Sequence, residues 1–219
     1  MRFIKKQQQP QSLIEAKKTV PLPKYDDLDT HVKIDIRISL LEEQGHICCY
    51  CMQRIEIDKM KIEHYQSQSD FPKLQLEFKN MLAACEGEIL TEKGIILHCD
   101  SAKGKKNLDF LNPNSKVKKH ILQNLKYTAS GEIISTDQEV QKELEEILNL
   151  NQEQLRVMRK GVIDALVDMI KKEFKKGEIK KSFLLNKIEE YKTLREGKLV
   201  HFCQVRIYYL EKKLNQFPK

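Results

Sequence analysis

Apolar residues change their spacing roughly halfway along this chain. In the second half they recur every three or four positions, as Leu155, Met158, Val162, Leu166, Ile170 and Phe174, then Phe183, Leu184, Ile188, Tyr191 and Leu194, then Val200, Cys203, Ile207, Leu210 and Leu214. That is the period of amphipathic helices, and it predicts three of them, the first stopped near Gly177 and the second at Gly197. Glu139–Leu150 is amphipathic as well. Asn151, with Gln154 three residues on, reads as a capping box that opens the first long helix. The second half is therefore expected to be a helical bundle whose apolar stripes form its core, with a partner-binding groove as the competing use of those stripes.

The first half carries one clear helix. Asp29-Thr30 can cap it, Val32, Ile36 and Leu40 or Leu41 share a face, and Gly45 stops it after Gln44. Shorter elements follow. Ile55–Ile57 and Lys61–His64 read as strands, Gln66–Pro72 as a loop and Leu74–Phe78 as a short helical turn. Lys93-Gly94 between apolar runs predicts a hairpin, and Asp100 or Ser101 starts a short helix containing Lys103. Leu111-Asn112-Pro113-Asn114 closes this module. Residues 1–29 have little periodicity and carry Gln7-Gln8-Gln9-Pro10 and Pro21-Leu22-Pro23, which predicts an extended arm that docks on the body or on a partner. The expected organisation is an arm over 1–29, an α+β module over 30–115 and a helical region over 116–219.

The chemistry concentrates in the module. Cys48 and Cys51 form a C-x-x-C knuckle, and Cys85 and Cys99 follow. Four thiolates can close a tetrahedral zinc site with bonds of about 2.3 Å, and a closed site of that kind is structural. Between the two cysteine pairs lies Glu63-His64, an acid beside an imidazole. The remaining cysteines, Cys49 and Cys203, read as packing thiols, and His98 is a spare neighbour of Cys99.

Composition narrows the classes. The chain has 219 residues, 40% hydrophobic and 32% charged, which suits a folded and rather polar protein. No apolar run approaches the roughly 20 residues of a membrane span, and the start, MRFIKKQQQPQ, lacks the apolar core of a secretory signal. A cytoplasmic protein with reduced thiols is the expectation, and there clustered cysteines bind metal more often than they pair. The net charge is +7, and between Asp100 and Gly131 seven lysines face a single acid, Asp109. Such a stretch beside a candidate active site points to a polyanionic substrate. Its bland reading is a solvated lysine face.

Together HICCYC, E-H, K-N-M-L-A-A-C and C-D-S-A-K-G resemble the HNH endonucleases of the zinc-stapled ββα-metal type. More narrowly, they resemble the small HNH nucleases found beside an ATPase in Septu-type anti-phage defence systems and in some retron operons. The likeness is tight over Gln44–Pro113 and loose over the whole chain. It implies an N-terminal ββα-metal module with a four-cysteine zinc site and a helical C-terminal region. His64 would be the general base. Glu63 and Asp100 would hold a catalytic Mg²⁺ or Mn²⁺, and the Asn80 amide would pin the loop that carries the base. Lys103, Lys105 and Lys106 would meet nucleic-acid phosphates. DNA is the expected substrate, with RNA such as tRNA as the alternative. The implied partner is an ATPase, in a larger complex with a retron reverse transcriptase and its RNA/DNA where such an operon exists. Two departures, Asp100 where relatives more often carry Asn or His and Ser67-Gln68 where they often carry proline, leave the metal preference open. The reading from another class is a non-catalytic zinc module that binds nucleic acid or protein. It keeps the cysteines and lysines but gives no reason for Glu63, His64 and Asp100.

Overall fold

The computed structural model describes residues 1–19, 24–175, 177 and 179–217, so Pro21-Leu22-Pro23 of the arm lies outside the described residues. The fold is mixed α+β. Helix α1 spans Gln11–Thr19 and α2 spans Thr30–Gln44, with Val32, Ile36, Leu40 and Leu41 buried. Gly45 ends α2 at φ 63° and returns its N–H to the last turn. Glycine carries that left-handed conformation without the Cβ penalty. A Cβ there would also lie 2.7 Å from Leu199 Cγ, so the end of α2 is packed against the C-terminal region.

Strands β1 (Lys61–His64) and β2 (Met81–Ala84) form an antiparallel pair in which Glu63 faces Leu82 and His64 faces Met81. All four β2 residues are buried. A continuous apolar segment is what a strand covered on both faces requires. Strands β3 (Glu88–Thr91) and β4 (Gly94–Leu97) make the hairpin expected between Cys85 and Cys99. It stands clear of the body, with Leu90 and Ile95 exposed. Helix α3 (Cys99–Lys103) follows directly.

Beyond the module come α4 (Lys119–Gln123), the strand pair β5 (Lys126–Tyr127) and β6 (Ile133–Ile134), and α5 (Gln138–Lys142). A turn of π-helix, Glu143–Ile147, continues α5. The long helices are α6 (Glu153–Phe174), α7 (Lys181–Lys192) and α8 (Cys203–Leu214). Among the described residues no helix is long and apolar enough to cross a membrane.

Several sequence expectations are corrected. The arm is not wholly extended, because α1 folds after Pro10 around the fully buried Leu13. Its first residues dock on the body: Met1 and Ile4 are buried, and the Ile4 N–H donates to the Pro113 carbonyl. Ile55–Ile57 is not a strand. The knuckle turns the chain so tightly that only an isolated bridge, Ile47 to Arg54, forms there. Leu74–Phe78 is replaced by two 3-10 turns, Pro72–Leu74 and Phe78–Asn80. The Leu74 carbonyl accepts from the Glu77 N–H, three residues on, and from the Asn80 side chain, and the Gln75 carbonyl accepts from the His64 ring. Asn151 does not cap α6. Its amide pairs with both backbone groups of Ile133, and Gln152 caps through a 2.8 Å bond from the Gln154 N–H. The buried face of α6 carries Leu155, Arg159, Val162, Ile163 and Leu166, whereas Met158 and Phe174 are exposed.

One core draws on the arm, the module, residues 122–163 and the start of α8, so it crosses the boundaries expected at residues 29 and 115. A smaller core joins α6, α7 and α8 through Leu166, Leu184, Ile188, Tyr191, Ile207 and Leu210. Two buried polar groups tie the helical part down. The Glu143 carboxylate accepts from the backbone N–H groups of Asp109, Phe110 and Leu111, and the Arg159 guanidinium donates to the carbonyls of Gly131 and Leu150. Gly131 sits at φ 84°, and a Cβ there would lie 2.1 Å from the Arg156 carbonyl oxygen. Gly131→Ala is therefore expected to cost at least about 2 kcal/mol, since backbone must move to admit it. Urea unfolding checks this, and an unchanged midpoint would show that the turn does not bear on α6.

Candidate functional site

Three short elements deliver the four thiols. The knuckle places Cys48 and Cys51, the end of β2 places Cys85, and the start of α3 places Cys99. Their sulfurs all lie within 4.8 Å of one another and all four residues are buried. Cys48 and Cys99 are 3.9 Å apart, and Cys51 and Cys85 are 3.8 Å apart. A tetrahedral zinc with bonds of about 2.3 Å has sulfur–sulfur edges of about 3.8 Å, whereas a disulfide needs about 2.05 Å. The spacing thus suits a bound ion and not two bridges. Backbone bonds hold the frame, from Cys48 N–H to Gln53, from Cys49 N–H to Ala83 and from Cys99 N–H to Leu148. Burial pushes the Cys48 thiol up, but hydrogen bonds from its cysteine neighbours outweigh this and hold it well below the ordinary thiol range. Hydrogen bonds with Cys48 and Cys51 push the Cys85 thiol up, and burial pushes Cys99 up, so it is the convergence of the four sulfurs that lets these cysteines hold a structural metal such as zinc. Among the described residues they are the one gathered group of three or more potential ligands. His98 Nδ1 lies 3.1 Å from Cys99 Sγ, as a hydrogen-bonding neighbour of the cluster. Cys49 and Cys203 are buried outside it.

Glu63 and His64 are consecutive on β1, and successive strand residues point to opposite faces. Glu63 turns toward the knuckle and α3. Its Oε1 accepts from the Tyr50 hydroxyl at 2.7 Å and lies 2.9 Å from Lys103 Nζ, in an ion pair whose two side chains are each 1% exposed. Burial and the adjoining carboxylate of Asp100 push the Glu63 carboxyl well above its usual range, against the pull of Lys103 and Tyr50. Two acidic side chains, Glu63 and Asp100, thus adjoin beside one buried ammonium.

His64 turns the other way, toward the 3-10 segment. Its Nε2 lies 2.9 Å from the Gln75 carbonyl oxygen, which can only accept, so Nε2 carries the hydrogen. Nδ1 accepts from the Gln68 amide at 3.1 Å. The Tyr25 ring meets the imidazole edge to face at 4.9 Å. Burial lowers the pKa of His64 from its ordinary value of 6.5, which favours the neutral ring that this bonding describes.

Asn80 holds the loop after His64. Its Oδ1 accepts from the Gln66 N–H at 2.8 Å, and its Nδ2 donates to the carbonyls of Gln66 and Leu74. Lys105 and Lys106 are exposed on the turn after α3, and Lys106 Nζ reaches the Glu146 carbonyl at 3.5 Å. Lys103 is not at the surface with them, which corrects its expected place. Its ammonium is spent on Glu63 and on the His64 carbonyl. Breaking a buried ion pair costs about 3–5 kcal/mol, and a new charge-assisted hydrogen bond returns only about 1.5–3 kcal/mol. Lys103 is accordingly a support for Glu63 and not a free phosphate contact.

The sequence does not point to Tyr50, Gln68, Gln75 or Tyr25. The one signal for Tyr50 is its position inside the knuckle, which suggests packing. Gln75 acts through a backbone carbonyl, which no side-chain pattern reports.

Substitution of Cys48, Cys51, Cys85 or Cys99 by serine is expected to abolish binding of one metal ion per chain and to lower the melting temperature. Cys49→Ser and Cys203→Ser are expected to keep the ion. Elemental analysis of the purified variants checks this, and retention of metal by Cys85→Ser and Cys99→Ser would dissolve the four-thiol site.

Neither the protein-family models nor the curated proteins compared with this chain match it.

Proposed function

We propose that this chain is a metal-dependent HNH endonuclease that hydrolyses phosphodiester bonds in nucleic acid, with its four cysteines on a structural zinc. The observation that carries the reading is one arrangement. A neutral imidazole with its tautomer fixed by the Gln75 carbonyl follows Glu63 on β1 and faces the other side of the strand. Asp100, at the start of α3 beside the thiol cluster, adjoins Glu63 and is near enough for its charge to act on the imidazole as well. Strand pair β1–β2 followed by α3 is also the element order that the motif resemblance implies.

In this reading Nδ1 of His64 takes the proton from the attacking water, and the Gln68 amide that now engages Nδ1 gives way to that water. Glu63 and Asp100 fit a hard divalent cation, because their adjoining carboxyl groups offer the oxygen ligands such an ion takes. Mg²⁺ or Mn²⁺ held there would neutralise charge on the phosphate and the leaving oxygen. Lys103 and Tyr50 fix Glu63, and Asn80 fixes the loop behind the imidazole. We further propose that the chain works in anti-phage defence with an ATPase, of the Septu or retron type. DNA is the expected substrate and RNA the alternative.

A zinc module that binds without cutting is the second reading. It draws support from His64 itself, which is only 7% exposed and has both ring nitrogens engaged. His64→Ala separates the two. The nuclease reading expects cleavage of DNA or RNA in Mg²⁺ or Mn²⁺, with and without an ATPase, to fall by about 100-fold or more while metal content and melting temperature persist. Undiminished cleavage, or none by the unaltered protein under any of these conditions, favours the binding module.

The pH dependence has a definite sign. The base must be neutral to accept a proton, and burial lowers the pKa of His64 below 6.5. The acid limb of kcat/KM is therefore expected to lie below pH 6.5, with the rate maintained through neutrality. An acid limb above pH 6.5 would exclude the buried ring as the base.

A further inference from the structure

The glutamine run of the arm and the lysines of α1 and the 3-10 segment have no part in the site described so far, yet the fold gathers them beside it. Two cavities adjoin. One, of about 490 Å³, is lined by Lys17, Lys24, Lys73 and Gln75 and by the edge of Glu77. The second, of about 680 Å³, is lined by Gln7, Gln8, Gln9, Gln11 and Lys79 and shares Glu77. The partition between them is a small bridge in which Lys17 Nζ bonds Gln9 Oε1 at 2.9 Å and Glu77 Oε1 at 3.3 Å. The first cavity lies next to the imidazole, because Gln75, which lines it, is the residue whose carbonyl holds His64 Nε2. The Gln75 side chain accepts the Tyr25 N–H, and Tyr25 covers the same imidazole.

The donors in this groove are largely unspent. Among the described residues the ammonium groups of Lys24, Lys73 and Lys79 and the amides of Gln7 and Gln8 make no hydrogen bond or ion pair. Between Asp100 and Gly131, Lys105, Lys116 and Lys126 are likewise unpaired among the described residues, and the other four lysines are engaged. Lys103 is paired with Glu63, Lys106 reaches the Glu146 carbonyl, Lys118 bonds the Asp109 carbonyl, and Lys119 lies over the Phe3 ring.

We propose that these two cavities form one nucleic-acid track along the N-terminal arm, with Lys24 and Lys73 on backbone phosphates flanking the candidate site and the amides of Gln7 and Gln8 on base edges farther out. Ammonium groups bind phosphate as point charges and give affinity without sequence preference. Glutamine amides offer a donor and an acceptor side by side, the pattern that reads a nucleobase edge. The Gln7 N–H donates to Glu43 Oε2 at 2.5 Å, so the run is anchored to α2 and presents its side chains from a fixed backbone. The choice of nucleic acid as ligand rests on the nuclease reading above; the place of binding does not.

The test measures binding apart from cutting. Fluorescence polarisation of labelled DNA and RNA oligonucleotides is followed against salt, with the full chain in its metal-loaded form and no added Mg²⁺ or Mn²⁺. Lys24→Ala with Lys73→Ala is expected to weaken binding about tenfold at low salt and to reduce the salt slope by about 1.5 to 2, one increment per lost phosphate contact. Gln7→Ala with Gln8→Ala is expected to leave that slope alone and to reduce the preference among oligonucleotide sequences about fivefold. Lys105→Ala with Lys106→Ala serves as the comparison. All the altered side chains are exposed or on the surface of the arm, and a matched melting temperature verifies each fold. An unchanged slope in the Lys24/Lys73 variant, a larger loss in the Lys105/Lys106 variant, or no binding by the unaltered chain would overturn the track. Binding that behaves as expected in a protein that cuts nothing would retain the track and remove the nuclease reading.

Discussion

Four thiols converging on one point set the geometry of this protein's first half. The knuckle, the end of β2 and the start of α3 come from distant parts of the chain, and each is too short to hold itself in place. Strand β1 has four residues and one partner, and α3 has five residues. Elements of that length are not stable alone. Fixing their ends at a common centre fixes β1 between them, and β1 carries both Glu63 and His64. The same centre brings Asp100, one residue after Cys99, to the Glu63 carboxylate. The candidate chemistry is in this sense a consequence of the sulfur cluster, although no sulfur takes part in it.

Around that centre the protein invests buried polar groups where an apolar side chain would be simpler. Tyr50, Glu63 and Lys103 form a nearly dry network on one face of β1, and Gln44 bridges α2 to β2 through the backbone of Ala83. Glu143 and Arg159 do similar work farther out, each satisfying several backbone groups from a buried position. Such groups are costly to leave unpaired, so they favour a single register for the segments they join. The helical part is thereby attached by specific bonds as well as by apolar contact, and it shares the main core with the arm and the module.

His64 illustrates how the same environment can serve two roles. Burial and two hydrogen bonds would suit a structural histidine. Its partners are a backbone carbonyl, which fixes the hydrogen on Nε2, and a single side-chain amide on Nδ1. The proposed base needs a fixed tautomer, which the Gln75 carbonyl supplies, and the lone pair on Nδ1, which the Gln68 amide engages in this structure.

Spacing alone was enough to locate the knuckle, the four cysteines, strand β1, the hairpin turned at Lys93-Gly94, and helix α2 with its glycine stop. These are local features, set by side-chain period, by a left-handed glycine or by a ligand motif, and they are legible wherever the local signal is strong. The long helices were legible too, but their buried faces were only partly so. Arg159 replaced Met158 on the core side of α6 because the guanidinium finds carbonyls at Gly131 and Leu150, residues that are neighbours only after folding. For the same reason Lys103 passed from the expected phosphate contacts to the buried partner of Glu63, Asn151 left its expected cap for the backbone of Ile133, and the arm formed a helix around Leu13. Each outcome depends on which distant group is within about 3 Å, and hydrogen bonding of buried polar groups, unlike helical period, leaves no trace along the chain.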